Sequence, residues 1–329
     1  MSAPDDPRPF GGPDPDPDPN PASPSAESQE PAPLDGAILS YGTTPNQNVE
    51  TNPGELTPPS IVPQGVGADG GPFKPQIDPD LRVPWGWIDL LLLVIVWFGA
   101  TIGSTILLAI LYTSRGVPFG EIQHSPRDLG FFIVVDQLVV SVFVLLYLWL
   151  QARIRFNAPF WRTLGWRKLD AGRWSRPLTY LGFVAFGFLL ALSVQLVSSE
   201  FPSKSKLPIE NLLQNRQAAL ALMIMSVVLA PVVEETVFRG YIYPVVARTF
   251  GVAVGIIGTG TVFGLLHAEQ LWGGWAQIAL LVAVGIVFTW VRAAKRTVFA
   301  SYLLHVSYNS LLFIAFLVSN SGFRSLVHH

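Results

Sequence analysis

The run "AALALMIMSVVLAPVVEETVFRG", residues 218–240, decides how this chain is read. It is apolar through Val233 apart from Ser226, and then it places Glu234, Glu235 and Arg239 within six residues. The apolar part has the length and composition of a membrane span, which needs ~20 mostly apolar residues. A charge at bilayer depth costs at least ~2.5–3.5 kcal/mol on the mildest scales. Three charges at the end of such a run therefore need partners, a task, or both.

Working outward, six further stretches qualify as spans, at about 87–112, 129–151, 178–198, 252–271, 275–292 and 297–318, with the quoted run extending over about 217–243. Trp85, Trp87, Trp272 and Trp275 stand where interface anchors belong. Only 13% of the 329 residues are charged, against about a quarter in soluble domains. The expected fold is all-α: a polytopic transmembrane helix bundle of about seven spans over residues 85–329, preceded by a tail. That tail, residues 1–84, holds 20 of the 28 prolines, with 3 basic and 13 acidic residues. Alternating Pro and Asp, as in "PDPDPDP", cannot bury enough apolar surface to offset chain entropy, so the tail is expected to be disordered. Its start has no basic segment followed by an apolar one and does not read as a signal peptide. The absence of cysteine excludes disulfides, thiol nucleophiles and cysteine zinc sites.

Residues 85–329 carry 18 basic and 10 acidic residues. The connection "ARIRFNAPFWRTLGWRKLDAGRWSRP" alone holds seven Lys/Arg. If it is cytoplasmic, the loops on that side hold 12 basic residues and those on the other side 6. This bias predicts an integral membrane protein with a cytoplasmic N-terminus. The acidic tail and short loops suit a bacterial inner membrane. Nothing in the charge pattern points to nucleic acid; the bilayer is the expected medium.

Two more apolar spans carry polar residues. His267 closes "TVFGLLH", and His305 and Asn309 lie four apart in "HVSYN", on one helical face. With a rise of ~1.5 Å per residue, Glu234 lies roughly 15 Å deep, His305 roughly 12 Å, Asn309 roughly 18 Å and His267 roughly 22 Å. Four polar side chains from three spans thus share a slab near mid-membrane. A lone intramembrane His or Asn is commonly an interhelical hydrogen bond. Glu235 and Arg239, at i,i+4, form a natural ion pair, which leaves Glu234 without a partner nearby in sequence. Pro231, just upstream, frees backbone carbonyls and can kink the helix. A carboxylate with two imidazoles can activate a water or ligate a metal, and a side-chain amide can donate to an oxyanion. HExxH is absent, as are a serine nucleophile with a matching His and a GxGD aspartate. Asp136 is the remaining deep acid and reads as structural or proton-linked.

The three motifs together, "EETVFR" (Glu234, Glu235, Arg239), "FGLLH" (Phe263 to His267) and "HVSYN" (His305 to Asn309), resemble those of the CPBP family of CAAX-type prenyl endopeptidases and bacteriocin-processing or abortive-infection-like membrane proteins. The resemblance covers roughly residues 175–320 and implies a membrane endopeptidase. It implies Glu234 as the base that activates water, His267 and His305 as the groups that hold or polarise it, and Asn309 as the oxyanion donor. Glu235, Arg239 and Phe263 support them. It leaves the metal open: Glu234, His267 and His305 could ligate Zn, or the site could work without one. The implied substrate is a peptide or protein, lipidated or not. Two other readings stand beside it. One is a non-catalytic scaffold or immunity protein with the same fold. The other is a proton-linked transporter, which the lack of an internal repeat disfavours.

Overall fold

The computed structural model describes residues 78–170, 176–202, 210 and 212–319. Every regular element among them is helical. Six helices are long and apolar enough to cross a membrane. They are α1 (Trp87–Ser114), α2 (Pro126–Arg155), α3 (Arg176–Ser199), α4 (Arg216–Phe250), α6 (Trp275–Lys295) and α7 (Val298–Ser319), with the shorter apolar α5 (Val252–Leu266) between α4 and α6. Large apolar side chains line their outward faces, among them Ile88, Leu91, Ile95, Ile102 and Ile110 on α1, as a lipid-facing surface requires. The expected bundle is thus observed, with one element shorter than the sequence suggested. The fifth span was expected to reach about 271, but α5 ends at Leu266. Its 15 residues rise only about 22 Å, and polar "HAEQ" followed by Gly273 and Gly274 turns the chain.

Helix α4 is the centre of the arrangement. Its first part packs on α2, its middle on α7, and its last turns on α5. Gly251, at φ 91°, forms the single-residue link from α4 to α5, a left-handed conformation that favours glycine. Helices α5 and α6 approach most closely. A Cβ on Gly264 would stand 2.6 Å from the Val282 backbone, and one on Gly285 would stand 2.5 Å from the Gly260 carbonyl oxygen. Small residues four apart allow such approach in membranes. On the other side α7 lies along α3, and α1 along α2. Ser104 and Thr105 of α1 both donate to Asp136 Oδ1 of α2, at 2.6 and 3.1 Å. This deep acid therefore bridges two helices.

Helix α4 is not a uniform α-helix. Met225–Leu229 and Glu235–Ile242 are wound as π-helix, on either side of the short α-helical stretch Ala230–Glu234. Wider turns of this kind recur at functional sites.

The boundary with the N-terminal tail also moves. Residues 78–84 were assigned to the disordered tail, yet they fold onto the bundle. Pro79–Leu81 form a 3₁₀ turn, and Leu81 and Val83 are buried. Asp80 pairs with buried Arg292 at 2.9 Å, Asp78 with Arg296 at 3.0 Å, and Arg248 donates to the carbonyls of Val83 and Trp85. Three of the cations counted from sequence as loop charges therefore hold this strap. Trp85 is no interface anchor: its indole is buried, stacks on Tyr241 at 4.7 Å and donates to the Tyr241 carbonyl. Trp87, Trp272 and Trp275 are exposed, as anchors should be. The remainder of the expected tail, residues 1–77, lies outside the described residues.

Candidate active site

Glu234 ends the α-helical stretch of α4, and Glu235 opens the π-wound one. The two carboxylates consequently face different surroundings. Glu235 is wholly buried against equally buried Arg239, with Oε1 3.0 Å from Arg239 Nη1. The guanidinium is further held by the Gly285 carbonyl at 3.0 Å and Thr289 Oγ1 at 3.3 Å, both from α6. It lies over the Phe263 ring at 4.4 Å, with Phe288 at 5.4 Å and Phe238 at 5.9 Å. A buried cation needs this many partners. The expected Glu235–Arg239 pair is present, enclosed by three phenylalanines.

Glu235 does something further. Its Oε1 also lies 3.0 Å from His305 Nδ1. A carboxylate can only accept, so Nδ1 carries the hydrogen. In the neutral ring, Nε2 is then an acceptor, and it points at Glu234 Oε2 across 3.7 Å. The second imidazole is set in the same way. His267 caps the C-terminus of α5, and its Nδ1 lies 2.8 Å from the Phe263 carbonyl oxygen. That oxygen is an orphan, because the His267 N–H bonds to Gly264 instead. Again Nδ1 must donate, and Nε2 faces Glu234 Oε1 at 3.9 Å. Phe263 packs its ring against both imidazoles, at 4.9 Å from His267 and 5.8 Å from His305.

Glu234, His267 and His305 therefore converge. Neither Nε2 is within hydrogen-bond distance of Glu234. With Glu234 ionised and both rings neutral, the facing atoms are two carboxylate oxygens and two imidazole lone pairs, all acceptors. Whatever the set binds must bring donors or positive charge. The Glu234 and His267 side chains are 20% and 23% exposed, whereas Glu235 and Arg239 are fully enclosed. Glu234 is thus the carboxylate that an incoming molecule can reach.

The donor types suit a divalent metal, and each imidazole has the outer partner such ligands commonly have. The spacing does not complete the match. Among the described residues no group of three or more His, Asp or Glu is arranged to hold a metal ion.

Asn309 was expected at the same point. It lies one turn beyond His305 on α7, and its Nδ2 donates to the Ser226 carbonyl in the first π-wound segment, at 2.8 Å. One amide hydrogen is thus committed to the backbone of α4. The sequence reading missed Phe288, Thr289 and Gly285 of α6, which carry no recognisable motif. Phe288 packs in a tilted arrangement against His305 at 4.7 Å, and Thr289 and Gly285 hold Arg239. It missed Thr236 as well, which receives the Trp166 indole N–H at 3.1 Å. The only available signal was the placement of "GIVFT", residues 285–289, in a span beside the motif-bearing ones.

No match was found among the curated proteins or among the solved structures. The segment that carries the site does match a family model. Residues 216–311, running from the start of α4 to the middle of α7, match the family described as type II CAAX prenyl endopeptidase Rce1-like, consistent with the CPBP-type membrane protease that the three motifs resemble.

Proposed function

We propose that this protein is an intramembrane endopeptidase in which Glu234 activates a water for attack on a peptide carbonyl. The observation that carries the reading is the convergence of Glu234, His267 and His305 from three helices, with both Nε2 lone pairs turned to the one accessible carboxylate. Water is the simplest molecule that answers an acceptor-only set, because it brings two donors. One O–H is held by Glu234, the other by His305, whose ring Glu235 orients. As the water oxygen bonds to the carbonyl carbon, its proton passes to Glu234. The carbonyl π pair moves to the oxygen, and the second amide hydrogen of Asn309 is the donor offered to that oxyanion. The tetrahedral intermediate collapses by expelling the amine, and Glu234 returns the proton to the leaving nitrogen. His267 completes the acceptor set and accepts a hydrogen bond from the departing amine N–H as the bond breaks. The substrate is a peptide or protein reached within the bilayer, of CAAX type or a bacterial peptide undergoing maturation, and the N-terminus is cytoplasmic.

The test is Glu234→Gln, purified alongside wild type and assayed for cleavage of prenylated and unprenylated C-terminal peptides. Cleavage should fall by at least 10³-fold while melting stays near wild type, because an uncharged amide is easier to bury than a carboxylate. Full activity in Glu234→Gln would end the hydrolase reading and favour the scaffold or immunity alternative. A strong chelator should leave wild-type cleavage unchanged if water alone is activated; loss of activity that zinc restores would make Glu234, His267 and His305 metal ligands.

A further inference from the structure

A second site lies apart from these residues. A cavity of about 430 Å³ is lined by Trp166, Arg167, Lys168, Arg176, Tyr180 and Phe299. It is formed where the α2–α3 connection meets the first turns of α3 and α7. Its frame is fixed by the backbone. Val298 N–H donates to the Gly165 carbonyl at 2.9 Å, Thr297 Oγ1 donates to the Arg167 carbonyl at 2.7 Å, and the Arg167 N–H returns to Thr297 Oγ1. The aromatic wall is fixed too: Trp166 packs on Tyr302 at 5.3 Å and Tyr180 on Phe299 at 5.9 Å.

Three of the six lining residues are cations, and none is acidic. Among the described residues no ion pair involves Arg167, Lys168 or Arg176. This contrasts with Arg155, Arg239, Arg292 and Arg296, each of which has a carboxylate. Three like charges around one cleft repel one another unless an anion joins them. The cavity also lies at the N-terminal ends of α3 and α7, and the ends of a crossing helix are where headgroups belong; Trp161 and Leu178, close to its lining residues in sequence, are exposed. Arginine forks and a lysine ammonium are the donors that phosphate takes, and basic clefts between membrane helices suit phospholipid headgroups.

We propose that this cavity binds a phosphate monoanion or diester, and that its occupant is the headgroup of an anionic phospholipid, whose acyl chains run down the exposed apolar faces alongside. Arg167, Lys168 and Arg176 hold the phosphate, and Trp166 and Tyr180 flank the glycerol.

The experiment uses the full chain in mixed micelles of phosphatidylcholine and detergent, with phosphatidylglycerol, phosphatidylcholine or inorganic phosphate added in separate arms. Bound lipid is counted by native mass spectrometry and melting is followed in parallel. Wild type should retain phosphatidylglycerol at least 5-fold over phosphatidylcholine and melt higher with it. Arg167→Gln/Lys168→Gln/Arg176→Gln should lose that preference. Arg153→Gln, which removes an exposed cation outside the cavity, should keep it. If the triple variant folds poorly, Tyr180→Trp or Phe299→Trp, which narrow the cleft without touching its charge, should lower the preference instead. Equal retention of the two lipids, or a preference that survives both kinds of variant, overturns the proposal. Saturation by inorganic phosphate with no preference for the anionic lipid overturns the lipid as occupant.

Discussion

Glu235→Gln should separate the two tasks that converge on one carboxylate. Glu235 and Arg239 are both fully buried, and a single oxygen of Glu235 serves Arg239 Nη1 and His305 Nδ1 at 3.0 Å each. Removing one partner of a buried pair costs ~3–5 kcal/mol, because the remaining charge is stranded. Arg239 keeps the Gly285 carbonyl, Thr289 Oγ1 and the Phe263 face. A desolvated cation–π contact contributes about 2 kcal/mol, so the expected loss lies near the lower end, about 3 kcal/mol. Adding Arg239→Met removes the stranded charge and replaces it with apolar volume, which is often neutral or stabilising. Stability should therefore largely return in Glu235→Gln/Arg239→Met. Activity should not return, because the amide no longer charges the His305 Nδ1–H bond. Loss of such an outer partner typically lowers activity about 10–100-fold. The assay is unfolding in a denaturing detergent series with peptide cleavage measured on the same preparations. A double variant that recovers full cleavage with its stability would show that the charge of Glu235 is not needed at His305. A Glu235→Gln protein as stable as wild type would contradict the assigned burial energetics.

Gly264→Ala should disrupt the α5–α6 contact, because its methyl would stand 2.6 Å from the Val282 backbone. A loss of roughly 1–3 kcal/mol is expected from such overpacking, with weakened cleavage as Phe263 and His267 shift; melting and activity check both. Asp136→Asn keeps an oxygen to accept from Ser104 and Thr105. It should change stability by less than about 1 kcal/mol and leave cleavage unaltered, which a proton-linked role would not allow.

The helical class and the span positions were legible because a bilayer imposes length and apolarity on each crossing segment. The site's polar residues were legible for the opposite reason: in a greasy span each one stands out. Partners were harder to read. Depth placed Glu234 and the two histidines in one slab, but no spacing rule says that Glu235, on α4, reaches His305 on α7. The i,i+4 rule revealed Arg239 and hid the second contact. Phe288, Thr289 and Gly285 look like any other span residues until α6 is seen against α4. The strap at residues 78–84 was misassigned because its composition continues that of the tail, and only the three-dimensional position of Arg248, Arg292 and Arg296 shows what Val83, Asp80 and Asp78 meet. Trp85 was misread for the same reason, since a tryptophan before a span can face lipid or core.

Asn309 illustrates how a helix register can hide a side chain's work, and the matter can be tested. In the first π-wound segment the Ala230 N–H reaches the Met225 carbonyl, five residues back. The next donor in that register would be residue 231 and the next acceptor Ser226. Residue 231 is proline and has no N–H, so the Ser226 carbonyl is orphaned. Asn309 Nδ2 supplies the missing donor at 2.8 Å. Asn309→Ala should therefore destabilise the protein by about 1 kcal/mol, the low end of the cost of leaving a part-buried carbonyl unsatisfied. In a Pro231→Ala background the backbone can donate to Ser226 itself, and the same substitution should cost less than half as much. Cleavage discriminates the second role: if the other amide hydrogen serves the oxyanion, Pro231→Ala/Asn309→Ala will be stable and still slow, by about 10²–10³-fold. Full cleavage in that double variant would leave Asn309 as a cap on α4 alone. Equal destabilisation in the two backgrounds would mean that Pro231 is not the reason Ser226 needs Asn309.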